Sequence, residues 1–230
     1  MSLRTAPATA ASTAAPPQVA GSGLVALGRA SWSVVRRPGL LVPAGLALLL
    51  VVATASVLDQ GYGLRVLRGA GVLLACALVT AVDDPSGEVA AASPFPRAVR
   101  TAVRVLAGAA VVATCWAAAA GFVQWRAPDV PVLALGVEAV ALAALGLAVA
   151  TGLRAWRDQH TPAHLSVVAV TALAFLSSAL PRSYALLQGQ TWGPPWQAAQ
   201  LRWLALLLVG VGVVALALRD PLTRRRRSAG

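Results

Sequence analysis

Few side chains in this sequence can do chemistry, and they fall in a few places. The densest is Asp83-Asp84-Pro85-Ser86-Gly87-Glu88. Paired aspartates followed by a glutamate at the edge of an apolar run are what a membrane transferase would use to hold Mg²⁺ and a diphosphate. A hard cation wants several oxygens, yet this chain offers one pair, a proline and one glutamate, with no second acidic cluster. Arg68 and Glu138 are ionisable residues inside apolar runs. His160 and His164 have the i, i+4 spacing that can serve zinc, but a zinc site needs three or four convergent ligands and only Asp158 is near. No metal site is expected. Cys76 and Cys115 lie inside apolar runs without metal spacing and read as small core residues. Lysine is absent, and so is any Gly-rich phosphate loop carrying it. A Walker-type nucleotide site is therefore excluded, and no cofactor is expected in this chain.

The elements that carry these residues are apolar. Of 230 residues, 58% are hydrophobic and 12% charged, about half the charged share of a soluble domain. Six runs are almost free of charge: 39–58, 63–82, 103–124, 131–153, 164–181 and 200–218. A helix needs roughly 20 apolar residues to cross a ~30 Å hydrocarbon core. The fold class expected is all-α: a polytopic membrane protein of six transmembrane helices (39–218) preceded by an interfacial amphipathic helix. Residues 1–21, rich in Ala, Thr, Ser and Pro, read as a disordered tail. Over 22–38, Leu24, Leu27, Trp32, Val34 and Val35 share one side of a helical wheel and Arg29, Arg36 and Arg37 the other. That is an interfacial helix ended by Pro38. Small residues such as Gly136, Ala139, Ala143, Gly146 and Ala150 suit close helix packing or a dimer seam.

The net charge of +11 is carried entirely by arginine. These residues sit between the apolar runs, so they speak of topology and not of nucleic acid. Fourteen of the 19 fall on the side shared by both termini, including the basic tail 219–230. By the positive-inside rule that side is cytoplasmic. Arginine in place of lysine, with heavy Ala, Val, Leu and Gly, suggests a GC-rich bacterial genome and a bacterial plasma membrane. Arg68 and Glu138 each lie about six residues from the outer end of a run, ~9 Å down its helix. An unpaired charge at depth costs ~2.5–3.5 kcal/mol or more, so equal depth favours a pair, structural or lining an outer gate. A proton relay through Glu138 is the rival. The outer segment 182–199 carries Tyr184, Trp192 and Trp196 around Gly193-Pro194-Pro195; short helices that dip into the outer leaflet and return would fit.

After Asp83 and Asp84, the order Glu88, Ala90 to Ser93, Pro94, then Arg97 and Arg100 on one helical stripe resembles the coupling segment of the type-2 ABC exporter permease family. The leading amphipathic helix, the six spans and the outer segment 182–199 with Trp192, Pro194, Pro195 and Trp196 are similar in layout to that family. The turns Asp83-Asp84-Pro85, Gln200-Leu201-Arg202-Trp203 and Arg219-Asp220-Pro221 look like those of small actinobacterial members. The resemblance implies a permease subunit of an exporter that is not itself an enzyme. ATP and Mg²⁺ would bind a separate ABC ATPase subunit docked on Asp83, Asp84, Glu88, Arg97 and Arg100. The permease would pair with itself or with a homologue. A Mg-dependent transferase built on Asp83, Asp84 and Glu88, and a non-transporting membrane scaffold, are the alternatives.

Overall fold

The computed structural model describes residues 37–57, 60–83, 97–157, 163–181, 186–189 and 191–217. The helix expected over 22–38, apart from its last two residues, lies outside that set. So do Asp84, Glu88, His160, Tyr184 and the tail 219–230.

Among the described residues the chain forms six α-helices and no strand. They are α1 (Arg37–Ala53), α2 (Gln60–Val79), α3 (Arg97–Arg126), α4 (Val132–Arg157), α5 (Ala163–Ala179) and α6 (Pro194–Ala217). Short 3-10 turns follow α1 (Ala55–Val57) and α2 (Thr80–Val82). Each helix overlies one of the six apolar runs, but the bounds differ. Pro38 sits in the first turn of α1, where its missing N–H costs nothing. Helix α3 begins at Arg97 instead of 103, carrying the arginine stripe on its first turns. Helix α6 begins at Pro194, six residues before the expected span. Four helices are long and apolar enough to cross a membrane: Gly61–Val82, Val99–Arg126, Val132–Arg154 and Pro194–Ala217. The apolar stretches Gly39–Ala53 and Ala163–Ala179 are shorter; even at 17 residues, α1 and α5 reach ~25 Å at the helical rise. In α1, Thr54 ends the helix by donating its hydroxyl to the Leu50 carbonyl at 2.8 Å.

Polarity is inverted relative to a soluble protein. Leu41, Val42, Leu46 and Leu49 of α1 and Leu201, Leu204 and Leu208 of α6 are exposed, while Glu138 is 2% exposed. An apolar exterior of this extent needs an apolar solvent, so this is a membrane-embedded helical protein.

Helices α2, α4 and α6 run in the same direction, since Arg68, Glu138 and Gln200 meet near their starts while Val82 meets Arg154 and Gly210 meets Ala144 further along. They form the centre, with α4 packed against both neighbours. Helices α1 and α3 flank α2, and α5 covers α2 and α4. Small residues set these distances. A Cβ on Gly210 of α6 would stand 3.0 Å from the Ala144 carbonyl carbon of α4. A Cβ on Gly146 of α4 would stand 2.6 Å from a methyl of Val170 (α5) and from one of Val79 (α2). The small residues of the fourth run thus serve packing within the chain.

The end of α2 is held by a polar knot. The last carbonyls of a helix lack intrahelical partners. Here Arg154 of α4 donates to the Val82 carbonyl at 2.9 Å, and Arg104 of α3 to the Asp83 carbonyl at 3.3 Å. The Asp83 carboxylate in turn accepts the Ala163 N–H at 3.0 Å, giving the first turn of α5 an anionic cap from 80 residues away. Asp83, Arg100 and Arg104 are all buried. They are built into the bundle, although the resemblance gives Asp83 and Arg100 to a docking surface.

Two outcomes follow. Gly210→Ala should lower thermal stability in detergent by about 1–3 kcal/mol, because backbone cannot yield to an added methyl. Gly212→Ala, with open space around it, should be neutral or stabilising by up to about 1 kcal/mol; equal effects would refute the α4–α6 contact. Asp83→Ala should cost about 0.5–2 kcal/mol and speed amide exchange in the first turn of α5, with Asp83→Asn, which keeps an acceptor, closer to wild type.

Candidate functional site

The candidate site lies where α2, α4 and α6 begin. Each contributes one polar side chain from its early turns: Arg68, Glu138 and Gln200. Arg68 and Glu138 meet in a two-pronged ion pair. Arg68 Nε donates to Glu138 Oε2 at 2.8 Å and Nη2 donates to Oε1 at 3.0 Å. Their side chains are 14% and 3% exposed. Gln200 Nε2 adds a third hydrogen bond to Glu138 Oε1 at 3.0 Å. Arg68 Nη1 donates to the backbone carbonyl of Gln188 at 2.8 Å, and the guanidinium carbon lies 5.8 Å from the centre of the Trp196 ring. A charge in a low-dielectric interior persists only when paired and hydrogen-bonded, and this network meets both conditions.

Equal depth in two separate helices makes the Arg68–Glu138 contact readable from the sequence. Gln200 is not so readable: at the margin of an apolar run a glutamine looks interfacial. Gln188 acts through its backbone, which leaves no trace in residue type.

Among the described residues of the outer segment there is no short helix apart from α6: residues 186, 187, 189 and 191–193 are bends, and Pro194-Pro195-Trp196 form the first turn of α6. Two prolines fit there because the first turn has no N–H partners to lose. Gly193, at φ 86°, makes the reversal that a side chain would resist, and its carbonyl accepts the Gln197 N–H. Of the tryptophans, Trp192 is exposed. With Tyr62 and Trp125, also exposed, it marks the same end of the bundle, as interfacial aromatics do. Trp196 is buried against the guanidinium. Trp203 is fully buried and donates its indole N–H to the Leu186 carbonyl at 3.0 Å. The segment is thereby tied down over the pair by two backbone carbonyls.

The other candidate residues do not converge here. Asp83 and Arg100 lie at the opposite end, where α2 finishes and α3 starts, and Arg97 opens α3. Cys76 is buried near Thr171, its sulfur 4.0 Å from that hydroxyl, and Cys115 is a free thiol on α3. His164 is exposed on the first turn of α5. Among the described residues no group of three His, Cys, Asp or Glu could hold a metal ion.

A comparison of the chain with protein-family models, with curated proteins and with solved structures finds no match. What the fold and site define is a class: a membrane-embedded helical bundle, six helices among the described residues, with a buried Arg–Glu–Gln network at one end.

The network makes a quantitative demand. Glu138→Ala, which strands the arginine, should destabilise the protein by about 3–5 kcal/mol in thermal or denaturant unfolding. The double variant Arg68→Gln/Glu138→Gln should lie well above the sum of its single changes, since neither charge is then left alone. Strict additivity would mean that the two groups do not interact.

Proposed function

We propose that the chain is the transmembrane subunit of an ATP-binding-cassette exporter in a bacterial plasma membrane. It would be driven by an ATPase on a separate polypeptide and paired with a second copy or a homologue. Both termini and the α2–α3 connection would be cytoplasmic. The observation that carries this reading is the common direction of α2, α4 and α6. The Arg68–Glu138–Gln200 network and its covering segment sit at one end of these helices. The connection of residues 84–96 leaves from the other. Three packed parallel helices link the two ends, which suits alternating access by rigid-body movement. An ATPase gripping the connection would move α2 and α3, and the outer network would open or close in response.

Docking on this reading rests on Asp84, Glu88 and Arg97. Asp83 and Arg100 are buried, and Asp83 caps α5. The same capping weighs against a Mg-dependent transferase, because it engages one of the three carboxylates such an enzyme would need.

The test is purification of the tagged chain from native membranes in mild detergent. A co-purifying subunit with a Walker motif and vanadate-sensitive ATP hydrolysis is expected. Glu88→Arg with Arg97→Glu should release that subunit or abolish coupling, while the permease stays folded. Finding neither subunit nor hydrolysis in a folded preparation would sink the proposal in favour of the scaffold or the transferase.

A further inference from the structure

A cavity of about 180 Å³ lies beside the ion pair, between α2, α4, α5 and the covering segment. Arg68 and Glu138 form one wall, and Leu135, Leu142, Leu187 and Trp203 are among its apolar walls. Its volume exceeds the roughly 150 Å³ of an apolar protein cavity that binds benzene. We propose that this cavity is a binding site for a small neutral molecule built on one apolar ring.

Three observations fix that class. Size comes first: the volume suits a single substituted ring. The lining comes second. Leucines and an indole offer dispersion contacts and no partners for water clusters. Ser177, the small hydroxyl in the wall, donates to the Ala174 carbonyl of its own helix at 2.7 Å. Third is charge. Arg68 and Glu138 neutralise each other through two hydrogen bonds. An ionic ligand would bring an uncompensated charge into a low-dielectric site, at a cost a neutral one avoids.

The site is also preorganised. Trp203 is locked by its bond to the Leu186 carbonyl, and the arginine is held from three sides. Little side-chain entropy would be lost on binding, which favours affinity in a small pocket. None of this depends on the transport proposal, because binding is a property of this chain alone.

The experiment uses the full chain in lipid nanodiscs and ¹⁹F NMR with 4-fluoroacetophenone, with protein-free nanodiscs as the partition control. A saturable bound resonance, displaced by unlabelled acetophenone, is expected. Fluorobenzene, which keeps the ring and lacks the carbonyl, should bind as well, and 4-fluorobenzoate should not bind. Ala174→Leu, which fills the cavity from α5, should remove the bound resonance. Leu187→Phe, which fills it from the covering segment, guards against a variant that fails to fold. The proposal is overturned if wild type gives no saturable resonance, or if both fillers, folded, leave it unchanged. Tighter binding of fluorobenzoate would overturn the neutral class.

Discussion

A carboxylate almost completely withdrawn from solvent within an apolar bundle is the constraint on which the rest of this structure depends. An isolated charge there would cost several kcal/mol, and Glu138 is tolerable only because Arg68 meets it with two hydrogen bonds and Gln200 with a third. Satisfying the arginine then requires the Gln188 carbonyl, and so fixes the path of the chain between α5 and α6. The common direction of α2, α4 and α6 is the arrangement in which residues a few turns from each start can meet. Pairing, covering segment and helix order are one solution to one electrostatic problem.

The opposite end solves a related problem with different groups. Where α2 finishes, the orphan donors and acceptors are backbone rather than side chain. Arginines from α3 and α4 satisfy carbonyls, and an aspartate satisfies an amide. Between the two polar ends the helices touch through glycine and alanine. In hydrocarbon, where no hydrophobic force drives helix association, close approach and interhelical hydrogen bonds are the available cohesive forces.

Much of this was legible in the residues. Six charge-poor runs became six helices, because an apolar segment in lipid must satisfy its own backbone. Arg68 and Glu138 could be matched by depth alone. What escaped were contacts whose partners are distant in sequence or lack a side-chain signature. Asp83 looks like half of an acidic pair, yet its carboxylate serves an amide in a helix that starts 80 residues later. Arg100 and Arg104 have the spacing of an exposed stripe but are buried. Pro194 and Pro195 look like loop residues, and a helix start is equally compatible with their fixed φ. The run 39–58 extends past the end of α1 at Ala53, since an apolar run marks what lipid tolerates and not where the helix stops.

The ion pair also imposes an order in time. The chain is made from its N-terminus, so Arg68 is made 70 residues before Glu138, and Gln200 follows 62 residues after that. In the interval α2 carries a cation with no counterion. Neighbours in the insertion machinery, or a long side chain reaching to the headgroups, must shelter it. The pair that stabilises the finished bundle is therefore a liability during its biogenesis, and α4 is the segment whose arrival ends it.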